Sequence, residues 1–176
     1  MAEPRVATRT RSFSRVLIAT GATILVVVAL AALAAPLLSG WGPEEIDPAA
    51  SLAGPGGAHP LGTDANGMDV WSRLLYAARL DLGVAVTAVA LAVVAGTALG
   101  LLAGYLGGWI DDVLMRIVDI FQAFPTFILA LVVAALLGGG FTNLVITIAA
   151  VNAPAYARLV RAEVRTLREM PYVDAA

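Results

Sequence analysis

The chain has 176 residues, of which 60 % are hydrophobic and 14 % charged, with a net charge of −2 and a mean hydropathy of +0.86. This composition excludes an ordinary soluble domain and is typical of a membrane protein. Cysteine and lysine are absent and His59 is the one histidine. These counts exclude disulfides, a Walker A nucleotide loop and any metal site built from thiolates or several histidines.

Stretches without charged residues mark the membrane-spanning segments. They cover residues 16–43, 82–110 and 120–157. The last is too long for one crossing, and the glycines at 138–140 divide it in two. A helix needs about 20 apolar residues to cross the hydrocarbon core, and lipid cannot satisfy the backbone of an open strand. The pattern therefore predicts an all-α, polytopic membrane helix bundle with four transmembrane helices, at 16–38, 82–106, 114–137 and 142–160.

The arginines orient these helices. Nine of the eleven fall on one side of the membrane if the helices alternate, and only Arg73 and Arg79 fall on the other. The nine are Arg5, Arg9, Arg11, Arg15, Arg116, Arg158, Arg161, Arg165 and Arg168. Because cytoplasmic segments carry the excess of basic residues, the pattern predicts that both termini are cytoplasmic.

The N-terminal region has two interpretations. In the first, residues 1–15 form a flexible cytoplasmic tail and 16–38 form an anchor helix with few polar groups. In the second, the basic stretch and the apolar run before Ala-Leu-Ala-Ala-Pro form a secretory signal with its cleavage site. The apolar run is longer than the roughly 7–15 residues usual in such signals, and three further spans follow, which favours an uncleaved anchor.

The segment 39–81 lies outside in this topology and is rich in glycine and proline. Its first half has no periodicity, which predicts an irregular connector, and it becomes compatible with a helix from about Asp69. His59, Asp64 and Asp69 suggest a cation site, but the His-Pro and Asn-Gly pairs in this segment are typical of turns. The sequence therefore favours turn structure over a metal site.

Small residues recur every four positions along the second predicted helix. They are Ala88, Ala92, Gly96, Gly100 and Gly104. Small residues let helix backbones approach closely in lipid, so we interpret this ridge, and its three glycines in particular, as a helix-packing face. The alternative is that the ridge partly reflects the abundance of alanine and glycine throughout the chain.

Three residues are candidates for the lining of an aqueous pathway: Gln122 and Pro125 in the third predicted helix, and Asn152 in the fourth. A proline inside a span frees a backbone carbonyl, which is tolerated where neighbouring groups or water satisfy it. The alternative is a kinked core helix without ligand contact. Arg116 and Asp119, three residues apart, can pair along the same helix.

The last predicted helix continues into an amphipathic stretch. Its four arginines lie within an arc of about 80° if each residue turns the helix by about 100°, and apolar residues occupy much of the opposite side. The arginines could meet anionic lipid headgroups, or the apolar face could dock on a partner protein. The composition leaves both interpretations open.

Two long segments resemble a known family. The segment HPLGTDANGMDVWSRLLYAARLDLGVAV is similar to the signature that opens the dipeptide, oligopeptide and nickel ABC-transporter permeases, and the segment from VDIFQAFPTF to YVDAA is similar to their central region. The resemblance runs from about His59 to the last residue in one order and spacing. It implies the MetI-like permease fold, here incomplete, in the bacterial plasma (inner) membrane.

In that family, the helix that corresponds to 158–170 leads into the EAA loop, whose coupling helix sits in a groove of the ATPase subunit. The resemblance therefore implies ATPase-coupling roles for a set of residues at the end of the chain: Arg161, Glu163, Tyr172, Val173, Asp174, Ala175 and Ala176. Asp174 stands where glutamate is usual. Because the sequence stops near the start of the loop, we expect a C-terminally truncated permease that is inactive alone.

Two further departures from the family pattern concern the substrate. Met68 stands where arginine is common, and Asn152-Ala153-Pro154 replaces a segment that often carries tryptophan. These departures leave the residue-level substrate contacts undefined, and dipeptide, oligopeptide and nickel permeases share the motifs that are present.

The resemblance implies a transmembrane permease subunit of an importer for peptides or nickel, and not an enzyme. The expected partners are a second permease subunit, two ATPase subunits, an extracytoplasmic solute-binding protein and the lipid bilayer, with no nucleic acid. No cofactor is expected in this chain, since ATP is bound by partner subunits. The alternative is a non-transporting membrane scaffold or assembly protein. A membrane enzyme is a weaker third interpretation, because the sequence shows no metal cluster, nucleophile elbow or buried acid pair.

Overall fold

The computed structural model describes residues 7–170, with side chains described from Arg15 onward. Within this range the chain forms helices and no strand, apart from two isolated β-bridges that join Ile46 to Met68 and Thr63 to Asp69. The helices are α1 (Ala7–Leu33), α2 (Ala35–Leu38), α3 (Val70–Leu106), α4 (Gly108–Ala123), α5 (Thr126–Leu137) and α6 (Phe141–Arg168). The predicted all-α class is confirmed.

Among the described residues, three helical segments are long and apolar enough to cross a membrane: Arg15–Leu33 of α1, α3 and α6. The helices α4 and α5 pass the same test together, although they meet at 96°, so the number is four if this bent pair forms one broken span. The chain is therefore a multi-pass membrane protein. The predicted spans 82–106 and 142–160 fall within α3 and α6. The predicted spans are shorter than these helices because the absence of charged residues marks only the apolar part of a helix.

The chain divides into two compact units, residues 1–82 and 83–176. In the first unit, α1 begins at Ala7, so residues 7–15 of the expected tail are helical. Most side chains between Val16 and Val28 are exposed. Such a surface suits an anchor helix, since lipid solvates apolar side chains as well as a protein interior does.

Residues 39–69 hold no helix and are organised by turns. Gly67 has a φ of +79°, and a Cβ atom at this position would lie 2.1 Å from the carbonyl oxygen of Asp47. Only glycine fits this turn, because it alone combines a positive φ with such a close approach. The ring of His59 lies against that of Trp41, with a centroid distance of 4.8 Å.

Asp69 closes this segment and begins α3. Its carboxylate is buried: Oδ1 lies 3.1 Å from Nδ1 of His59, and Oδ2 accepts a hydrogen bond of 2.7 Å from the backbone N–H of Ser72. This arrangement is a helix N-cap. Burial by itself would raise the pKa of Asp69, but the hydrogen bonds from Ser72 and His59 outweigh it, so the pKa lies below its ordinary value of 3.8.

In the second unit, the glycine ridge of α3 lies against α6. The glycines of this ridge are Gly96, Gly100 and Gly104. A Cβ atom added at any of them would lie 2.5–2.8 Å from the nearest atom of another residue. The nearest atoms belong to α6 and come from Ala153, Ala157 and Val164. The absence of side chains on the ridge therefore sets the distance between the two helices.

The third predicted helix, 114–137, differs from the structure. The helix α4 begins earlier, at Gly108, because Gly107 has a φ of +65° and lets the chain turn within one residue. It then ends before Pro125, where Phe124 is extended with φ −94° and ψ 143°. Proline removes a backbone donor and keeps the preceding residue out of the helical region. The chain therefore bends by 96° where a kinked but continuous span was expected.

The helix α6 is continuous over 28 residues and contains Pro154. The fourth predicted span and the amphipathic arginine stretch are consequently one helix.

Candidate functional site

A cavity of about 280 Å³ lies at the break between α4 and α5, against α6. It is lined by Phe121, Gln122, Phe124, Thr126, Leu129, Val151, Asn152 and Ala155. Two of the three candidate pathway residues, Gln122 and Asn152, thus line one cavity although they lie on different helices. Pro125 is not part of the lining. Its contribution is the bend that separates Phe124 from Thr126.

The lining combines amide, hydroxyl, aromatic and aliphatic groups and carries no charge. Nδ2 of Asn152 donates a hydrogen bond of 2.7 Å to the carbonyl oxygen of Ile148. This bond fixes the side chain and leaves Oδ1 as an acceptor without a partner in the described part of the chain. The side-chain amide of Gln122 makes no hydrogen bond within residues 15–170, so it can both donate and accept. The cavity therefore offers neutral hydrogen-bonding groups within the charge-free stretch of residues 120–157.

A second polar feature joins the start of α4 to the end of α6. Asp111 is buried, and both of its carboxylate oxygens accept hydrogen bonds from the guanidinium of Arg161, with Nη2–Oδ2 at 2.6 Å. Nη2 of Arg165 lies 2.9 Å from the same Oδ2. We call these three residues the arginine clamp. Two fork-shaped guanidinium groups supply the charged partners that a buried carboxylate requires.

The other two arginines of α6 also meet the chain itself. Nη2 of Arg158 lies 2.5 Å from Oδ1 of Asp119 on α4, and Nη1 of Arg168 donates to the carbonyl oxygen of Tyr105 at the end of α3 at 3.0 Å. The pairing of Arg116 with Asp119 that their spacing allows is not formed among the described side chains, because Asp119 pairs with Arg158 of α6 instead. The arginine face of α6 therefore packs on its own bundle, an arrangement that neither of the two earlier interpretations included.

The residues assigned to ATPase coupling are only partly described. Arg161 is held in the clamp with its side chain 27 % exposed, and Glu163 on the same helix is exposed. Tyr172, Val173, Asp174, Ala175 and Ala176 lie outside the described residues.

Sequence reasoning missed the role of Asp111. It lies 50 positions from Arg161, and no local spacing rule joins residues so far apart. One signal was present, since Asp111 ends a long charge-free stretch. A carboxylate at the edge of an apolar helix has few polar neighbours and needs a partner.

Residues 96–176 match the family described as the binding-protein-dependent transport system inner membrane component. The chain is also similar to the dipeptide transport system permease protein DppC of Alkalihalophilus pseudofirmus, with 45 % identity over 156 residues that cover 89 % of this chain and 51 % of that protein.

Two further relatives carry different printed substrates. The glutathione transport system permease protein GsiD of Pectobacterium atrosepticum is 38 % identical over 161 residues, which cover 92 % of this chain and 54 % of that protein. The nickel transport system permease protein NikC of Escherichia coli K12 is 39 % identical over 155 residues, which cover 86 % and 56 %. The chain thus spans about half the length of the curated relatives it matches. These matches confirm the resemblance that the motifs indicated.

Proposed function

We propose that this chain is a membrane-spanning permease subunit of an importer for peptides or nickel. Its residues 96–176 match the family of binding-protein-dependent transport system inner membrane components. The observation that carries the proposal is the cavity at the α4–α5 break, where Gln122 and Asn152 bring neutral polar groups into an apolar bundle. The substrate class is supported by the names of the relatives, which transport dipeptides, glutathione or nickel.

We also infer that the energy for transport is supplied by another subunit. The end of α6 and the residues that follow it, Tyr172 to Ala176, would meet a separate ATPase subunit, which binds and hydrolyses the ATP. Two features support this role. Glu163 is exposed, so a partner protein can contact it, and α6 is continuous up to Arg168, so a displacement of its end can be transmitted along the helix. A second permease subunit, a second ATPase subunit and an extracytoplasmic solute-binding protein complete the proposed assembly.

The orientation belongs to the same proposal. An ATPase in the cytoplasm requires the end of α6 to lie there, as the arginine distribution also indicates. The chain has no cysteine, so single cysteines can be labelled without background. We expect a membrane-impermeant maleimide to label Glu44→Cys in intact cells and Thr166→Cys only after the membrane is opened. Labelling of Thr166→Cys in intact cells would place the end of α6 on the extracytoplasmic side, where it could not meet a cytoplasmic ATPase.

Transport can be tested with a fusion of this chain to the remaining part of the Alkalihalophilus dipeptide permease, in a strain that lacks that permease. We expect the fusion to restore uptake of a radiolabelled dipeptide or of ⁶³Ni²⁺, and the 176-residue chain alone to restore neither. Coupling requires contacts that differ between two states, and the chain spans only 51 % of that relative. Uptake by the chain alone would contradict its inactivity. A stable fusion that transports nothing and co-purifies with no ATPase would favour the scaffold alternative.

The cavity itself is tested by a matched pair of aromatic residues on either side of Pro125. Phe124 lines the cavity, whereas Phe127 is 79 % exposed and does not. In the fusion, Phe124→Trp should fill part of the cavity and reduce uptake several-fold per molecule of permease, while Phe127→Trp should leave uptake unchanged. Equal effects of the two substitutions would show that the cavity has no role in transport.

A further inference from the structure

The contacts between α4 and α6 follow one antiparallel register. At the start of α4, Asp111 forms the arginine clamp with the end of α6. Two turns later Asp119 pairs with Arg158, and the last turn of α4 shares the cavity with Asn152. As α4 advances, its partners on α6 recede along the chain. The clamp therefore lies at one end of this helix pair and the cavity at the other.

The two ion pairs are not equivalent. The side chain of Asp111 is 2 % exposed, whereas those of Asp119 and Arg158 are 55 % and 50 % exposed. An exposed pair can be exchanged for water at little cost. A buried carboxylate that loses its cations is left uncompensated in an apolar setting. The pair at Asp111 is thus the contact that resists separation of the two helices.

We propose that Asp111 is a positioning residue that makes α4 follow the end of α6, so that the width of the cavity depends on where the end of α6 lies. The helix α4 is unbroken between Asp111 and its cavity-lining residues Phe121 and Gln122. A displacement at the clamp is therefore carried along α4 to the cavity wall without an intervening hinge. The physiological meaning rests on the proposed function, in which an ATPase acts on the end of α6.

The test measures distances by pulsed electron paramagnetic resonance in the full 176-residue chain, reconstituted in lipid nanodiscs. One pair of spin labels, Val113→Cys with Leu167→Cys, reports on the clamp. The other, Ala123→Cys with Leu159→Cys, reports on the cavity end of α4. All four side chains are exposed in the structure, so the labels need not displace packed residues.

We expect Asp111→Asn to broaden the distance distribution and shift it to longer values at both pairs, and Asp111→Glu to restore the narrow distribution. The matched control is Asp112→Asn, which removes the same charge one residue later from an exposed side chain with no ion pair among the described residues. Unchanged distributions in Asp111→Asn would overturn the proposal. A change confined to the clamp pair would also overturn it, because the cavity would then not follow.

A second variant covers the case in which Asp111→Asn loses its helical fold. Arg165→Gln removes only the half-exposed member of the clamp and leaves Arg161 on both carboxylate oxygens. It should produce a smaller broadening at both pairs, whereas Arg116→Gln should produce none. The absence of broadening in Arg165→Gln would count against the clamp in that case. None of these measurements needs ATP, substrate or partner, so loss of uptake in the fusion would refute the proposed function while leaving this result intact.

Discussion

Asp69 in the first unit and Asp111 in the second are each 1 % exposed, yet they are stabilised in different ways. Asp69 accepts hydrogen bonds from the Ser72 amide and from His59, which are close to it in sequence. Asp111 is paired with two arginines contributed by another helix. The first carboxylate fixes where a helix begins, and the second fixes where two helices lie relative to one another. Burial alone therefore does not reveal the role of a charged side chain.

The largest effect should come from removing the second carboxylate. Asp111→Ala leaves the partly buried Arg161 without its partner, and we expect it to lower the free energy of unfolding by about 3 kcal/mol, the lower end of the range for broken buried pairs, because the remaining arginines are 27 % and 51 % exposed. Denaturant titration in detergent micelles, followed by circular dichroism, measures the change. Asp112→Ala serves as the control and should unfold like the unmodified chain. If the two variants unfolded alike, the ion pair at Asp111 would not stabilise the fold.

The next effect concerns the face of α6 that packs against the glycine ridge of α3. Gly100→Val places a side chain where a Cβ atom would already lie 2.6 Å from the carbonyl oxygen of Ala157, and should cost about 1–3 kcal/mol through overpacking. Gly21→Val is a suitable control, since nothing lies within 4 Å of its Cβ position. The same titration measures both. A neutral Gly100→Val would show that the close approach of α3 does not stabilise α6.

Removing the first carboxylate should have a more local effect. Asp69→Ala leaves a buried imidazole and a helix-terminal amide without an acceptor, and unsatisfied buried groups of this kind cost about 1–3 kcal/mol. Amide hydrogen exchange should rise across residues 59–72 and stay unchanged in α6. Faster exchange in α6 would remove the distinction between a local cap and a tertiary clamp.

Acid should lower the stability of the segment around Asp69. The pKa of Asp69 is lowered in the folded chain, so this group contributes stability above its unfolded value of 3.8 and loses that contribution as the pH falls below 3.8. Trp41 fluorescence, in a chain with Trp71→Phe and Trp109→Phe, should report loosening in that acidic range. Asp69→Asn should remove this component of the pH dependence. A transition of the same size in Asp69→Asn would assign it to another group.

The smallest effect is expected at Asp64, which sharpens the contrast with its neighbour. The backbone N–H groups of Met68 and Asn66 and the nearby Arg73 lower its pKa, but the carboxylate is 30 % exposed and its partner Arg73 is 49 % exposed. Water can replace such contacts. Asp64→Asn should therefore unfold like the unmodified chain at pH 7, and a marked loss of stability would show that exposure underestimates the role of this turn.

The sequence was sufficient for the membrane-spanning pattern, because charge is expensive in lipid and its absence is visible in one dimension. It was insufficient where charges occur within a helix. The first turns of α3 carry Arg73 and Arg79, so the predicted membrane span begins only at 82, whereas the helix begins at Val70, close to Asp69, from which the sequence was compatible with a helix. The break at Pro125 was recognised as a perturbation, but a 96° bend depends on how α5 packs against α6.

The candidate site divides in the same way. Gln122 and Asn152 stood out because amides are rare inside apolar runs, and the structure places them at one cavity. Asp111 and Asp119 did not stand out as partners of α6, because ion pairs between helices depend on tertiary register. The local rule that joined Arg116 to Asp119 was outcompeted by the cross-helix contact to Arg158.

The unbroken course of α6 has a mechanical consequence. Its 28 residues extend over about 42 Å at roughly 1.5 Å per residue, which exceeds the roughly 30 Å of hydrocarbon. The helix therefore extends beyond the hydrocarbon region. It bends most easily at Pro154, because the backbone hydrogen-bond ladder is interrupted there. A swing of about 10° at that point displaces the far tip by about 4 Å, given roughly 1.5 Å of rise per residue. A small change of angle at Pro154 is therefore equivalent to an ångström-scale displacement of the end of α6.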